Sequence, residues 1–167
     1  MNRFTTMRAN IESALRNSAA VAACGATVYG WDSQRGNPAE DPKITLETGL
    51  RVDPAGIDFD PYAYNAATRF TQRLQIAAWL PVNKGLQAAQ MEALCLALCR
   101  ALTPLTRDQM VTPVSGVERV TLKGGDLSLA ASKALRPDES PKLADAAWSH
   151  VAEIEIVHEV PVSELVE

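Results

Sequence analysis

Two stretches of this chain alternate polar and apolar residues so regularly that they decide what it can fold into. From Thr68 to Leu80, Phe70, Leu74, Ile76, Ala78 and Leu80 share one parity, while Arg69, Thr71, Arg73 and Gln75 share the other. From about Trp148 to Val160, Ala152, Ile154, Ile156 and Val160 oppose Glu153, Glu155 and Glu159 in the same way. A period of two sends each set to its own face of a strand. One covered and one wet face is the pattern of an antiparallel or mixed sheet, since strands buried on both sides read as continuous apolar runs. The first stretch is expected to be the central strand, closed by Pro81, and the second the last strand.

The covered face needs apolar helices, and two are legible. Met7, Ile11, Ala14, Leu15, Ser18 and Val21 recur at spacings of three and four, which predicts a helix over about residues 6–23, capped by Thr5 or Thr6 and stopped by Gly25. A second helix is expected from about Leu86 to Leu102, its stripe built from Ala89 or Gln90, Ala93 or Leu94, Ala97 or Leu98 and Ala101 or Leu102, with Pro104 as terminator. Short strands fill the rest. Ala26 to Trp31 reads as one, and Ile44 to Val52 as another that is weakened or bulged at Gly49. Val117 to Lys123 and Asp126 to Ala131 flank Gly124-Gly125, a two-residue hairpin signal. The expected fold is thus α/β in the α+β sense: a mixed or antiparallel sheet, two helices packed on one face, and a long hairpin or loop extension. At 167 residues the chain reads as one domain, 1–167, with that extension at about 32–67.

Composition narrows the function classes. Sixteen basic against twenty acidic residues give a net charge of −4 with the bases dispersed, so tight binding to a phosphate backbone is not expected. The most apolar run, Leu86 to Leu105, is interrupted by Gln87, Gln90, Glu92 and Arg100 and is too polar for a lipid-facing span. Behind Arg3 and Arg8 the first helix carries Asn10, Glu12, Arg16 and Asn17 where an export signal needs an apolar core, so none is read. Three cysteines cannot all pair within one chain, and free thiols in a reducing compartment are the expectation.

No residue set carries visible catalysis. Cys95 and Cys99 lie four apart on the second helix, where their side chains point in parallel, which disfavours a disulfide; a zinc site would need two further ligands, and small core thiols are the plainer reading. His150 and His158 share a parity but stand about 26 Å apart along a strand at 3.3 Å per residue, too far to hold one ion, and read as strand-end residues. Asp53, Asp58 and Asp60 lack the spacing of a calcium loop and read as turn caps beside Gly and Pro. There is no nucleophile elbow and no glycine-rich phosphate loop. No catalytic residue, metal or cofactor is therefore expected.

The segment Pro54 to Asn65 is different. Its Pro, Gly, Asp and Asn residues place it outside the regular sheet, yet it carries Ile57, Phe59, Tyr62 and Tyr64. These four either fold back as a lid on the core or serve as anchors of an assembly interface. The expectation taken forward is the interface.

In element order and length the chain resembles the phage tail-terminator (tail-completion) family. The stretches that carry the resemblance are Ile11–Leu15, the block Arg73–Trp79 running into Met91–Leu94, and the closing Val151–Val157. The resemblance implies a structural virion protein without enzymatic activity. It would form a homo-oligomeric ring, commonly a hexamer, on the last ring of the tail tube, stop tail polymerisation, and offer a surface for head attachment. It further implies the tail tube protein and a head-completion or neck protein as partners, passage of the genome DNA through the ring without specific binding, no membrane, and a place in the tail or neck of a virion assembled in the host cytoplasm. Another head-to-tail connector or adaptor, and in a different class a small ligand-binding or enzymatic α/β domain, are the alternatives.

Overall fold

In the computed structural model the described residues are 2–30, 47–60, 67–81, 88–107, 117–124, 127–131, 146–161 and 163. The first helix, α1 (Arg3–Arg16), starts three residues earlier than the periodicity predicts, because Asn2 rather than a threonine caps it: its Oδ1 accepts from the Thr5 amide at 2.9 Å. It also stops earlier. Ser18 turns its hydroxyl onto the Val21 amide at 3.3 Å and caps a separate short helix, α2 (Ala19–Ala23). The predicted 6–23 helix is therefore two helices, broken where a serine competes for the backbone. Gly25 follows at φ 67°, a conformation that costs glycine little.

The strands are β1 (Thr27–Tyr29), β2 (Gly49–Asp60), β3 (Ala67–Pro81), β4 (Val117–Lys123), β5 (Leu127–Ala131) and β6 (Ala146–Pro161), with α3 (Ala88–Arg107) between β3 and β4. They form one mixed sheet in the order β1-β2-β3-β6-β4, with β5 also on β6. Only β1 with β2 is parallel; every other pair is antiparallel. The class expected from the alternation is the class observed. The two alternating stretches, β3 and β6, are neighbours along their whole length, from Ala67 opposite Pro161 to Pro81 opposite Ala147.

Two further expectations fail for identifiable reasons. Gly124-Gly125 does not join a hairpin, because β4 and β5 both pair with β6 and lie end to end along it. Lys123 pairs with Glu153 and Leu127 with His150, so both strands take β6 as their partner rather than each other. A long partner strand outcompetes a short hairpin. Pro104 does not end the second helix; it lies inside α3, one turn before the end. The missing N–H forgoes one bond to the Arg100 carbonyl, and Leu105, 6% exposed, anchors the turn beyond it in the core.

One apolar cluster joins Met7, Ile11 and Leu15 of α1, Val21 of α2 and Met91, Leu94, Leu98 and Leu102 of α3 to Leu50, Val52, Leu74, Ile76, Ile154 and Ile156 of the sheet. All helices thus cover the same sheet face. On the opposite face Trp79 is 2% exposed and stacks on Tyr29, ring centroids 5.8 Å apart. Its indole lies across Gly49, its cross-strand partner, where an added Cβ would come within 2.1 Å of Trp79 Cζ2. Gly49 is thus a close-approach residue at the start of β2, not a bulge.

Candidate surface for assembly

Of the segment expected to leave the sheet, Pro54 to Asp60 is part of it, and residues 61–65 lie outside the described residues. β2 pairs with β3 without a break in direction from Gly49 opposite Trp79 to Asp60 opposite Arg69. Pro54-Ala55-Gly56, which reads as a turn, makes a register shift between Pro54 and Gly56 instead. Two of the three aspartates read as turn caps are ion-pair partners: Asp58 meets Arg73 across the strands at 2.9 Å, and Asp53 meets Arg51 on its own strand at 2.7 Å. Propensity misled here because β3 is a long apolar template, and the shift restores pairing on the far side of the proline.

That shift decides which way the anchors point. Leu50 and Val52 face the helices, and after the extra residue so do Ile57, opposite Gln72, and Phe59, opposite Phe70. The helices do not reach them. Ile57 is 46% and Phe59 70% exposed, so neither is a lid on the core. Tyr62 and Tyr64 lie outside the described residues. Phe59 instead ends an aromatic row along the sheet: its ring sits 6.5 Å from Phe70, Phe70 lies 5.9 Å from Phe4 of α1, and Phe4 lies 5.1 Å edge-on to His158. Between the first turn of α1 and this half of β2 runs a groove of about 350 Å³ lined by Asn2, Phe4, Thr5, Pro54, Ile57 and Leu74, among others.

At the inner end of the row the histidine departs from expectation. His158 is buried at 0% exposure rather than standing at a strand end. Gln72 donates from Nε2 to the Phe4 carbonyl at 2.9 Å, which leaves Gln72 Oε1 facing His158 Nε2 at 3.0 Å. Nε2 must therefore carry the proton, and Nδ1, buried without a partner, keeps its lone pair. Burial first, and the Arg3 charge second, push the imidazole down to about 4, so the ring is neutral at ordinary pH. The pair was visible in the sequence as two polar residues, Gln72 and His158, on apolar parities of neighbouring strands.

The opposite sheet face is ionic. Arg69 meets Glu118 at 3.0 Å, and Lys123 meets Glu155 at 2.5 Å. The Lys123 ammonium holds Glu155 below the usual carboxylate range. Glu118 and Glu159 are close enough to shift each other, Glu118 downward and Glu159 upward. Of the thiols, Cys24 and Cys95 pack partly against the core, whereas Cys99 is exposed and is not the core residue expected. Burial raises the Cys95 thiol further.

Among the described residues, no group of three or more His, Cys, Asp or Glu side chains is placed to hold a metal ion, and no helix is long and apolar enough to cross a membrane. What the surface offers chemically is uncovered apolar area on a fixed strand, framed by paired charges. Such a surface excludes water when a second surface covers it, and does little by itself. Compared with models of known protein families and with curated proteins, the chain matches none.

Proposed function

We propose that this chain is a ring-forming structural subunit of the tail-terminator kind, which caps a phage tail tube, halts its growth and presents a surface to the head. The observation that carries the reading is the pair Ile57 and Phe59, held exposed on a strand rather than on a loop. A rigid apolar arm at the far end of a sheet is suited to contact between subunits. Its side chains lose little conformational entropy on docking, because cross-strand pairing has already fixed the backbone. The mixed sheet with its helices on one face and the resemblance in element order support the same reading, as does the acidic balance of −4, which leaves no general affinity for DNA passing through a ring. A closed ring needs heterologous contacts whose rotation closes, so each subunit must carry two different complementary surfaces.

The test is assembly followed by capping. Light scattering and negative-stain images of the purified chain should give closed rings, and those rings should bind the ends of tail tubes and stop their elongation. Rings that bind a portal and ignore tube ends would move the protein to the neck adaptors. A monomer that stays monomeric with tubes present, and saturably binds a small ligand, would overturn the reading.

A further inference from the structure

We infer that the ring is closed by strand pairing, the outward edge of β2 in one copy adding to the outward edge of β4 in the next. The inference rests on the ring reading above and names its contact. Beyond Arg51, where β1 ends, the outward edge of β2 meets no strand among the described residues; β4 ends the sheet on the other side in the same sense. Such edges are templates for further strands.

Three properties fit the two edges to each other. The first is polarity. β2, β3, β6 and β4 alternate in direction, so placing β4 beside the β2 of a neighbour in the same orientation continues the alternation and makes an antiparallel pair. The second is height. Cross-strand partners run in rows from edge to edge: Phe59, Phe70, His158, Val117; then Asp58, Thr71, Val157, Arg119; then Ile57, Gln72, Ile156, Val120. The open part of β2 thus lies level with β4. The third is chemistry along those rows. Val117 and Val120 belong to the helix-covered face, as do Ile57 and Phe59, so apolar side chains would meet on that face. On the other face Arg119 would meet Asp58, at the end of a strand with Asp53, Asp58 and Asp60 against the single base Arg51. A second copy of this chain therefore supplies polarity, height, apolar cover and charge together. Pairing β2 with another β2 would set aspartate against aspartate, and like charges across a ladder are unfavourable.

Cysteine crosslinking tests the contact. In one chain, positions 59 and 117 are separated by three strand spacings, about 14 Å, beyond the reach of a short bismaleimide. Phe59→Cys with Val117→Cys in the same chain should yield a ladder of covalent multimers, with the 59–117 link identified by mass spectrometry so that the native cysteines can remain. Ile57→Cys with Val117→Cys covers a register displaced by two. Each single variant alone should give no such link, and a mixture of the two should give dimers. Circular dichroism checks that every variant folds. Reversal of Arg119 to Asp should reduce assembly, and Asp58→Arg in the same chain should restore it. Rings that form with no 57–117 or 59–117 link would overturn the inference while leaving the ring reading intact. Dimers from Phe59→Cys alone through a 59–59 link would overturn it in favour of β2–β2 pairing. A wild-type chain that remains monomeric with tail tubes present would overturn both.

Discussion

Acid should loosen this fold through one residue. The folded state keeps His158 neutral to about pH 4, whereas an unfolded chain protonates it near 6.5. Between those values the unfolded state binds more protons, so stability falls as pH falls, and the contribution of this residue, whole above about 6.5, is lost by about pH 4. A displacement of that size corresponds to about 3 kcal/mol, a substantial part of the 5–15 kcal/mol that holds a typical domain. The structure says why the cost is real. Protonation places a second N–H at Nδ1, a buried atom with no acceptor, and adds charge beside Phe4 under the Arg3 guanidinium. The perturbation that isolates the term is His158→Phe, which keeps a ring against Phe4 but cannot titrate. It strands Gln72 Oε1 and should cost about 1–2 kcal/mol at pH 7.5. Urea titrations of both proteins from pH 7.5 to 4, followed by far-ultraviolet circular dichroism, should show the wild type losing about 3 kcal/mol more than the variant across that interval. The carboxylates cancel in the comparison. Parallel curves would refute the assignment of a neutral, buried imidazole, and so would an imidazole pKa near 6.5 by NMR.

Four other outcomes follow from the packing. Leu94→Asp, at a fully buried site on α3, should cost several kcal/mol or abolish folding, read as a lowered or absent thermal transition. Gly49→Ala should cost about 1–3 kcal/mol, because the methyl meets the Trp79 ring, and the Trp79 emission should shift with it. Pro104→Ala should raise the thermal midpoint, since restoring the helical hydrogen bond and removing the ring from the helix interior are together worth up to about 3 kcal/mol where the helix already continues. Phe59→Ala should leave the midpoint of the dissociated subunit nearly unchanged and weaken association by about 2 kcal/mol, read by light scattering over a dilution series.

The sheet was legible where one residue in two had to be apolar. β3 and β6 read out directly, to within two residues at each end, from the parity that buries Leu74, Ile76, Ile154 and Ile156, whereas their pairing with each other comes from the structure. Features set by competition between distant segments were not legible. Gly124-Gly125 is a sound hairpin signal locally, and only the presence of β6 as a longer partner for both flanking strands overrides it. Pro104 is a helix stop unless Leu105 finds a core to enter. Of the surface, the identity of Ile57 and Phe59 as uncovered apolar residues came from the sequence, but their place on a strand did not, because Pro54 and Gly56 carry the same meaning for a turn as for a register shift. His158 and Gln72 broke an apolar parity, and each break accounted for the other.

The two halves of β2 have different physical support, and this separates stability from assembly. From Gly49 to Arg51 the strand is sandwiched between β1 and β3, and Leu50 and Val52 are fully buried beneath the helices. From Gly56 to Asp60 it is held by β3 alone among the described residues, through ladder bonds, the Asp58–Arg73 pair and the Phe59–Phe70 contact. Exposed ion pairs contribute at most about 1 kcal/mol, and an aromatic pair about as much again, so the outer half owes its order to continuity with the buried half. Substitutions there remove little from the folding free energy of the subunit. The same side chains become fully covered only when a second surface arrives, and there each would bring about 1.5–3 kcal/mol of burial. A strand built in this way keeps the subunit's stability in one half and its capacity for association in the other, so each can be altered with little cost to the other.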